Sequence, residues 1–172
     1  VGSEMCIRDR SLLTQARSSL KPLLDTAMKT DVQPELRMGY ARALLSLQLV
    51  TESAAQLMRL NVQHPEFAEG WLIHGLVLNE NGQPAEAEKR LAHYVQMLSR
   101  TPNPEQQAGL AEALMTLAQM AQKKGQLDRA NQWLAQMPAG ADPIKLASRQ
   151  AEVLAQQAVS YTHLRAHETV LD

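Results

Sequence analysis

Residues Phe67 to Leu98, FAEGWLIHGLVLNENGQPAEAEKRLAHYVQML, leave this chain few choices of fold. The stretch reads as two amphipathic helices joined by a tight turn at Asn81-Gly82-Gln83-Pro84. In the first helix Trp71, Gly75 and Leu78 recur at spacings of four and three, one face of a 3.6-residue period. Ala87, Leu91 and Tyr94 do the same in the second. Gly82 stands where the first helix must end, because glycine takes the left-handed conformation that closes a helix. Pro84 suits the first turn of the next helix, where its missing N–H costs nothing. Trp71 is expected to be the packing anchor, its ring set against Gly75 and the neighbouring hairpin.

The pattern recurs on both sides. Pro34–Leu47 and Thr51–Gln63 form a hairpin in which Gln48 replaces Gly82, Ser53 replaces Ala87, Leu57 aligns with Leu91 and Leu60 with Tyr94, an offset of 34 residues. Arg37 takes the place of Trp71, and Ala41 keeps the small contact of Gly75. Downstream, Gly125–Ala130 repeats Gly82–Ala87 at an offset of 43. The additional nine residues fall after Tyr94, so a break at Thr101-Pro102-Asn103-Pro104 should precede an unusually long helix from about Glu105 to Lys124.

A bulky residue, a small one four later, a turn glycine, then Glu-Ala and a large apolar residue resemble the tetratricopeptide repeat, TPR. The resemblance covers most of residues 11–157. It implies an all-α fold, a solenoid of antiparallel helical hairpins stacked into a right-handed superhelix with the first helices lining a concave groove. The long third unit departs from the family and should disturb the stacking between the second and third hairpins.

Around these units the reading is coarser. Ser11–Lys29 carries a helical apolar stripe, but Pro22 within it costs roughly 3 kcal/mol in a helix interior and predicts a kink or a break. Asp142 can cap a helix opening at Pro143, and Ile144–Gln157 reads as the first helix of a fourth unit. Its turn glycine falls due at residue 158, which is Ala158.

The chain ends belong to neither pattern. VGSEMCIRD at the start and VSYTHLRAHET near the finish back-translate into strands that are nearly reverse complements of one another. Both resemble the adapter attached by transposase-based sequencing libraries. Residues 1–10 and 158–172 are therefore expected to be adapter-derived and both tails disordered, leaving 11–157 as a partial repeat domain open at both ends. That removes the only cysteine, Cys6, and with it any thiolate metal site. Three of 17 Lys/Arg and four of 18 Asp/Glu go too, leaving 14 of each and no net charge. A neutral segment with sparse aromatics disfavours nucleic acid or an anionic membrane surface as partner. No apolar run is long enough to span a bilayer.

Little in the sequence carries chemistry. His64, His74 and His93 lack metal-ligand spacing, Ser18, Ser19 and Ser53 lack a nucleophile elbow, and Asn79–Gly82 lacks the ligand pattern of a calcium loop. No catalytic residue, cofactor or metal is expected, and the chain is read as a non-enzyme. The resemblance instead implies a groove that binds a partner protein or peptide. Carried over residue by residue, that groove shows Glu35, Met38, Arg42 and Leu45 in the first full unit. The second presents Glu69, Leu72, Leu76, Asn79 and Glu80, and the third Glu112, Met115, Gln119, Gln122 and Lys123. An apolar floor with acidic edges favours a segment carrying Lys or Arg beside apolar residues. Two function classes follow: a protein–protein interaction scaffold of a bacterial protein, or a non-catalytic arm of a larger enzyme or envelope-assembly protein.

Overall fold

A computed structural model describes residues 21–98 and 103–168 of the 172. The expected tail 1–10, the helix expected over 11–20 and the break at Thr101-Pro102 lie outside the described residues. Among those described, all regular structure is helical: α1 (21–27), α2 (Pro34–Ser46), α3 (Val50–Gln63), α4 (Ala68–Glu80), α5 (Pro84–Leu98), α6 (Pro104–Lys123), α7 (Leu127–Leu134) and α8 (Pro143–Glu168). From α2 onward each helix packs on the next in sequence, and α4 also touches α6.

Three turns close the first helices in one geometry. Gln48, Gly82 and Gly125 have φ of 61°, 73° and 72°. Behind each, two backbone bonds form a Schellman motif: Leu49 N–H donates to Leu44 O at 2.9 Å, Gln83 to Leu78 at 2.9 Å and Gln126 to Ala121 at 2.9 Å. The turn residues themselves donate to Leu45, Asn79 and Gln122. Gln48 therefore holds a conformation that costs an L-residue roughly 1–2 kcal/mol. Gln48→Gly is expected to stabilise the fold by about 1 kcal/mol in a urea titration, and no gain would mean the strain is already relieved.

The residues behind the turns pack in the same register. Ala41, Gly75 and Ala118 are buried on the first helices, and Ser53, Ala87 and Ala130 at 0% exposure on the second. Leu57, Leu91 and Leu134 follow them into the core. Gly75 is small because Leu91 lies on it: a Cβ there would come within 2.6 Å of Leu91 Cγ and 3.2 Å of Leu91 N. Gly75→Ala is expected to cost about 2 kcal/mol, overpacking of about 3 less about 1 regained in helix propensity. A neutral result by thermal unfolding would mean that α4 and α5 are not locked at this contact.

Trp71 packs at the edge of the α4–α6 core, while the atoms nearest Gly75 belong to Leu91. The ring is half-buried; its N–H donates to Pro65 O at 2.9 Å, it meets His93 in a tilted contact (56° between planes) with centroids 4.2 Å apart, and Arg90 lies over it at 5.6 Å. Its register equivalents, Arg37 and Leu114, are the fully buried ones. Arg37 donates to Met28 O (2.9 Å), Thr30 O (2.8 Å) and Gln56 Oε1 (2.9 Å), so the guanidinium receives the chain end of α1 on α2 and α3.

The long helix is built from its caps. Asn103 Oδ1 accepts from Gln106 N–H at 2.8 Å while Gln106 Oε1 accepts from Asn103 N–H, a capping box with Pro104 behind it. Gly125 ends α6 after 20 residues, against 13 in α2 and α4. The extra length does not interrupt packing: Leu72 and Leu78, Leu91 and Tyr94, and Leu110, Leu114 and Leu117 form one core across α4, α5 and α6. Smaller cores join α2 to α4, and α6 to α8. Asp142 caps α8, accepting from Ile144 and Lys145 N–H at 3.0 and 3.2 Å. The backbone of α8 then crosses residue 158 to Glu168, helix where a disordered tail is expected, because Ala158 continues a helix where glycine would have turned it.

Candidate functional site: two clefts beside the first helices

The residues expected to line a groove occupy three environments, fixed by their place on the helix. Glu35, Glu69 and Glu112 share one register position on α2, α4 and α6, and their carboxylates stand at the surface or half-exposed. Three residues later, Met38, Leu72 and Met115 also correspond. Met38 is 3% exposed and belongs to the core with Ala41, Leu57, Leu60 and Val77, so it is not a groove residue. Leu72 is 7% exposed and packs among Leu91, Tyr94 and Leu110. Only Met115 stays half-buried. Successive first helices lie close enough that the following one roofs this position, which turns most of an expected floor into core.

Two clefts remain. The first, about 450 Å³, lies beside the start of α4 and the start of α6. Phe67, Ala68, Leu72, Tyr94 and Gly109 line it with carbon and one hydroxyl, and Glu66, Glu69, Asn103 and Gln106 supply its polar rim. Gly109 sets its depth, because a Cβ there would meet Tyr94 Oη at 2.5 Å and Leu72 Cδ2 at 2.9 Å. Burial raises the pKa of Tyr94 above the ordinary phenol value, and the charges of Glu69 and Glu112 raise it further. The second cleft, about 470 Å³, lies between α6 and the start of α8, with Ala108, Ala111, Met115, Met137 and Ala141 below Glu112, Thr116, Asp142 and Lys145. Volumes of this size suit one or two side chains of a bound segment.

The other expected groove residues are placed elsewhere. Arg42 pairs with Glu69, tying α2 to α4 at the surface. Leu76 packs against the α4–α6 core, and Leu45 against the α2–α4 core. Gln122 accepts from Arg149 at 3.3 Å and so braces α8. Asn79, Glu80, Gln119 and Lys123 line neither cleft. The sequence reading missed Tyr94, Gly109, Asn103 and Gln106 as lining residues. Tyr94 was the available signal: a phenol at an inward position needs its polar tip to reach an edge.

His74 is 4% exposed, and its Nδ1 accepts from Asn61 Nδ2 at 3.0 Å, which places the ring proton on Nε2. Among the described residues no group of three or more His, Cys, Asp or Glu could hold a metal ion, and no helix is long and apolar enough to cross a membrane. No family model matches the chain, and no curated protein matches it either.

Proposed function

We propose that residues 11–157 are a tetratricopeptide-like solenoid that acts as a binding scaffold, not an enzyme. It holds a segment of a partner protein along its first helices. The observation that carries this reading is the pair Glu69 and Glu112, at the same place on successive first helices and each at the rim of a cleft with an apolar floor; Glu35 holds the same place on α2 but lines neither cleft. Such a surface favours a peptide or helix with Lys or Arg flanking apolar side chains. The apolar contacts supply most of the affinity, and the carboxylates set register and on-rate. The same reading takes residues 1–10 and 158–172 as translated adapter.

The test is selection of peptides on the immobilised chain, followed by titration of the enriched ones against Glu69→Gln/Glu112→Gln. Basic-apolar peptides are expected to emerge, to bind the double variant about tenfold more weakly, and to lose most of their salt dependence there. Glu112 is exposed and Glu69 gives up only its surface pair with Arg42, and an unchanged circular dichroism spectrum and melting temperature check that the fold is kept. Peptides of no common charge, or equal binding to both proteins, would remove the clefts from the function. Substitution of Leu72 is unsuitable, because that side chain is core.

A further inference from the structure

The two clefts occupy the same place in successive repeats but differ at one lining position. Tyr94 in the first and Met137 in the second stand 43 residues apart, the offset that relates Gly82 to Gly125. One hairpin earlier, 34 residues before Tyr94, the place is held by Leu60, which is fully buried. A phenol therefore stands where this chain otherwise puts an apolar side chain. Tyr94 is 3% exposed, yet among the described residues no hydrogen bond is made to its hydroxyl, which faces the first cleft. A buried phenol ordinarily has a partner for its polar tip.

Helix α6 leaves that hydroxyl open. In register, the start of α4 at Ala68 matches Ala111, so Gly109 belongs to the turns that α6 adds in front. A Cβ at Gly109 would lie 2.5 Å from Tyr94 Oη, and only glycine keeps this space free. Phe67, Ala68 and Leu72 wall the cleft with carbon, and Glu66 and Glu69 stand at its rim. Glu69 gives Oε1 to Arg42, and Glu66 Oε1 lies 3.6 Å from His64 Nδ1, but no Lys, Arg or His lines the cleft itself. The second cleft differs here too, since Lys145 shares its edge with Glu112 and Asp142. The charges of Glu69 and Glu112 reach the Tyr94 phenol, so they also reach a positive group placed beside it.

Building on the scaffold reading above, we propose that the first cleft receives one lysine side chain of the bound segment. Its stem lies along Phe67 and Leu72, and its ammonium donates to Tyr94 Oη and to the carboxylates of Glu66 and Glu69. One hydroxyl and two carboxylates supply three acceptor groups for the three donors of an ammonium. A guanidinium brings five donors in a fixed plane, which a carbon-walled cleft with a single hydroxyl leaves partly unpaired. Apolar walls below a polar rim suit a side chain that buries its methylenes and keeps its charge paired.

The probes are the Nα-acetyl methylamides of lysine, arginine and norleucine, each titrated into the full 172-residue chain and followed by backbone amide NMR shifts. Saturable millimolar binding of the lysine compound is expected, with shifts centred on Leu72, Tyr94 and Gly109. Arginine should bind at least about threefold more weakly and norleucine at least about tenfold. Tyr94→Phe keeps the ring and removes a hydroxyl that no described residue holds, so the melting temperature should stay while lysine binding weakens at least about threefold. Equal binding of lysine and norleucine, arginine as tight as lysine, no saturation, or indifference to Tyr94→Phe would each overturn the assignment. Failure of the scaffold reading is separable. Selected peptides whose lysines can all be replaced by norleucine would keep the scaffold and remove the lysine cleft. Saturable lysine binding with no peptide enriched would do the reverse.

Discussion

Arg37→Ala is expected to cost the fold about 4 kcal/mol, because it removes a fully buried stem and three hydrogen bonds together. Met28 O and Gln56 Oε1 would lose their donor inside the protein. Burial already holds the guanidinium below its usual pKa, with Arg59 adding to the shift and Asp31 opposing it. The side chain is therefore retained for what it holds, the carbonyls of Met28 and Thr30 at the end of α1. Arg37→Met separates volume from polarity and is expected to cost about half as much, since the methionine fills the space but leaves the acceptors unpaired. Urea titrations of both variants check this. Equal costs would mean that only the lost hydrogen bonds matter, and a cost below about 0.5 kcal/mol for either would mean that the segment before α2 is not anchored here.

The second large effect is a pH dependence centred on His74. Burial between α3 and α4 holds its pKa to about 4, against an ordinary 6.5; Arg90 pushes the same way and Glu86 opposes. The folded state therefore keeps the ring neutral, with Asn61 donating to Nδ1. The unfolded chain takes up a proton as pH falls through 6.5, and the folded one does not until about 4. Stability is fully present above pH 6.5 and falls through that window at up to about 1.4 kcal/mol per unit, about 3 kcal/mol in all. His74→Gln removes this dependence and leaves the carboxylates to titrate as before. Denaturation of both proteins at pH 7, 5.5 and 4.5 isolates the difference, and parallel curves would show that His74 gains its proton in the fold as readily as outside it.

The helices were legible because their signals are local. Pro34, Pro84, Pro104 and Pro143 open four of them, Gly82 and Gly125 close two, and the small–large spacing marks their contact faces. The turn at Gln48 has no local signal at all. It was legible only through its offset of 34 residues from Gly82, and its φ of 61° is the structural counterpart of that offset. Arg37 was read as a degenerate position because its partners are backbone carbonyls from another segment, which no side-chain pattern announces. Met38 and Leu72 were read as groove-facing, since a helical wheel shows which residues share a face but not how closely the next helix approaches. The clefts share this origin: Gly109 reaches Tyr94 and Leu72 only because α6 starts early, at a capping box whose position depends on a nine-residue insertion.

Backbone amide hydrogen exchange under native conditions tests the repeat architecture most directly. In a chain of stacked hairpins each unit is stabilised by its neighbours, so the flanked pair α4–α5 should open last. Amides of Leu91 and Tyr94 are expected to show the highest opening free energies, with those of α2–α3 and α6–α7 lower and α8 lower still. The Schellman donors Leu49, Gln83 and Gln126 should follow the order of their own hairpins. A single opening free energy shared by all core amides from α2 to α7 would contradict this, because it would describe one indivisible core and not an array of repeats.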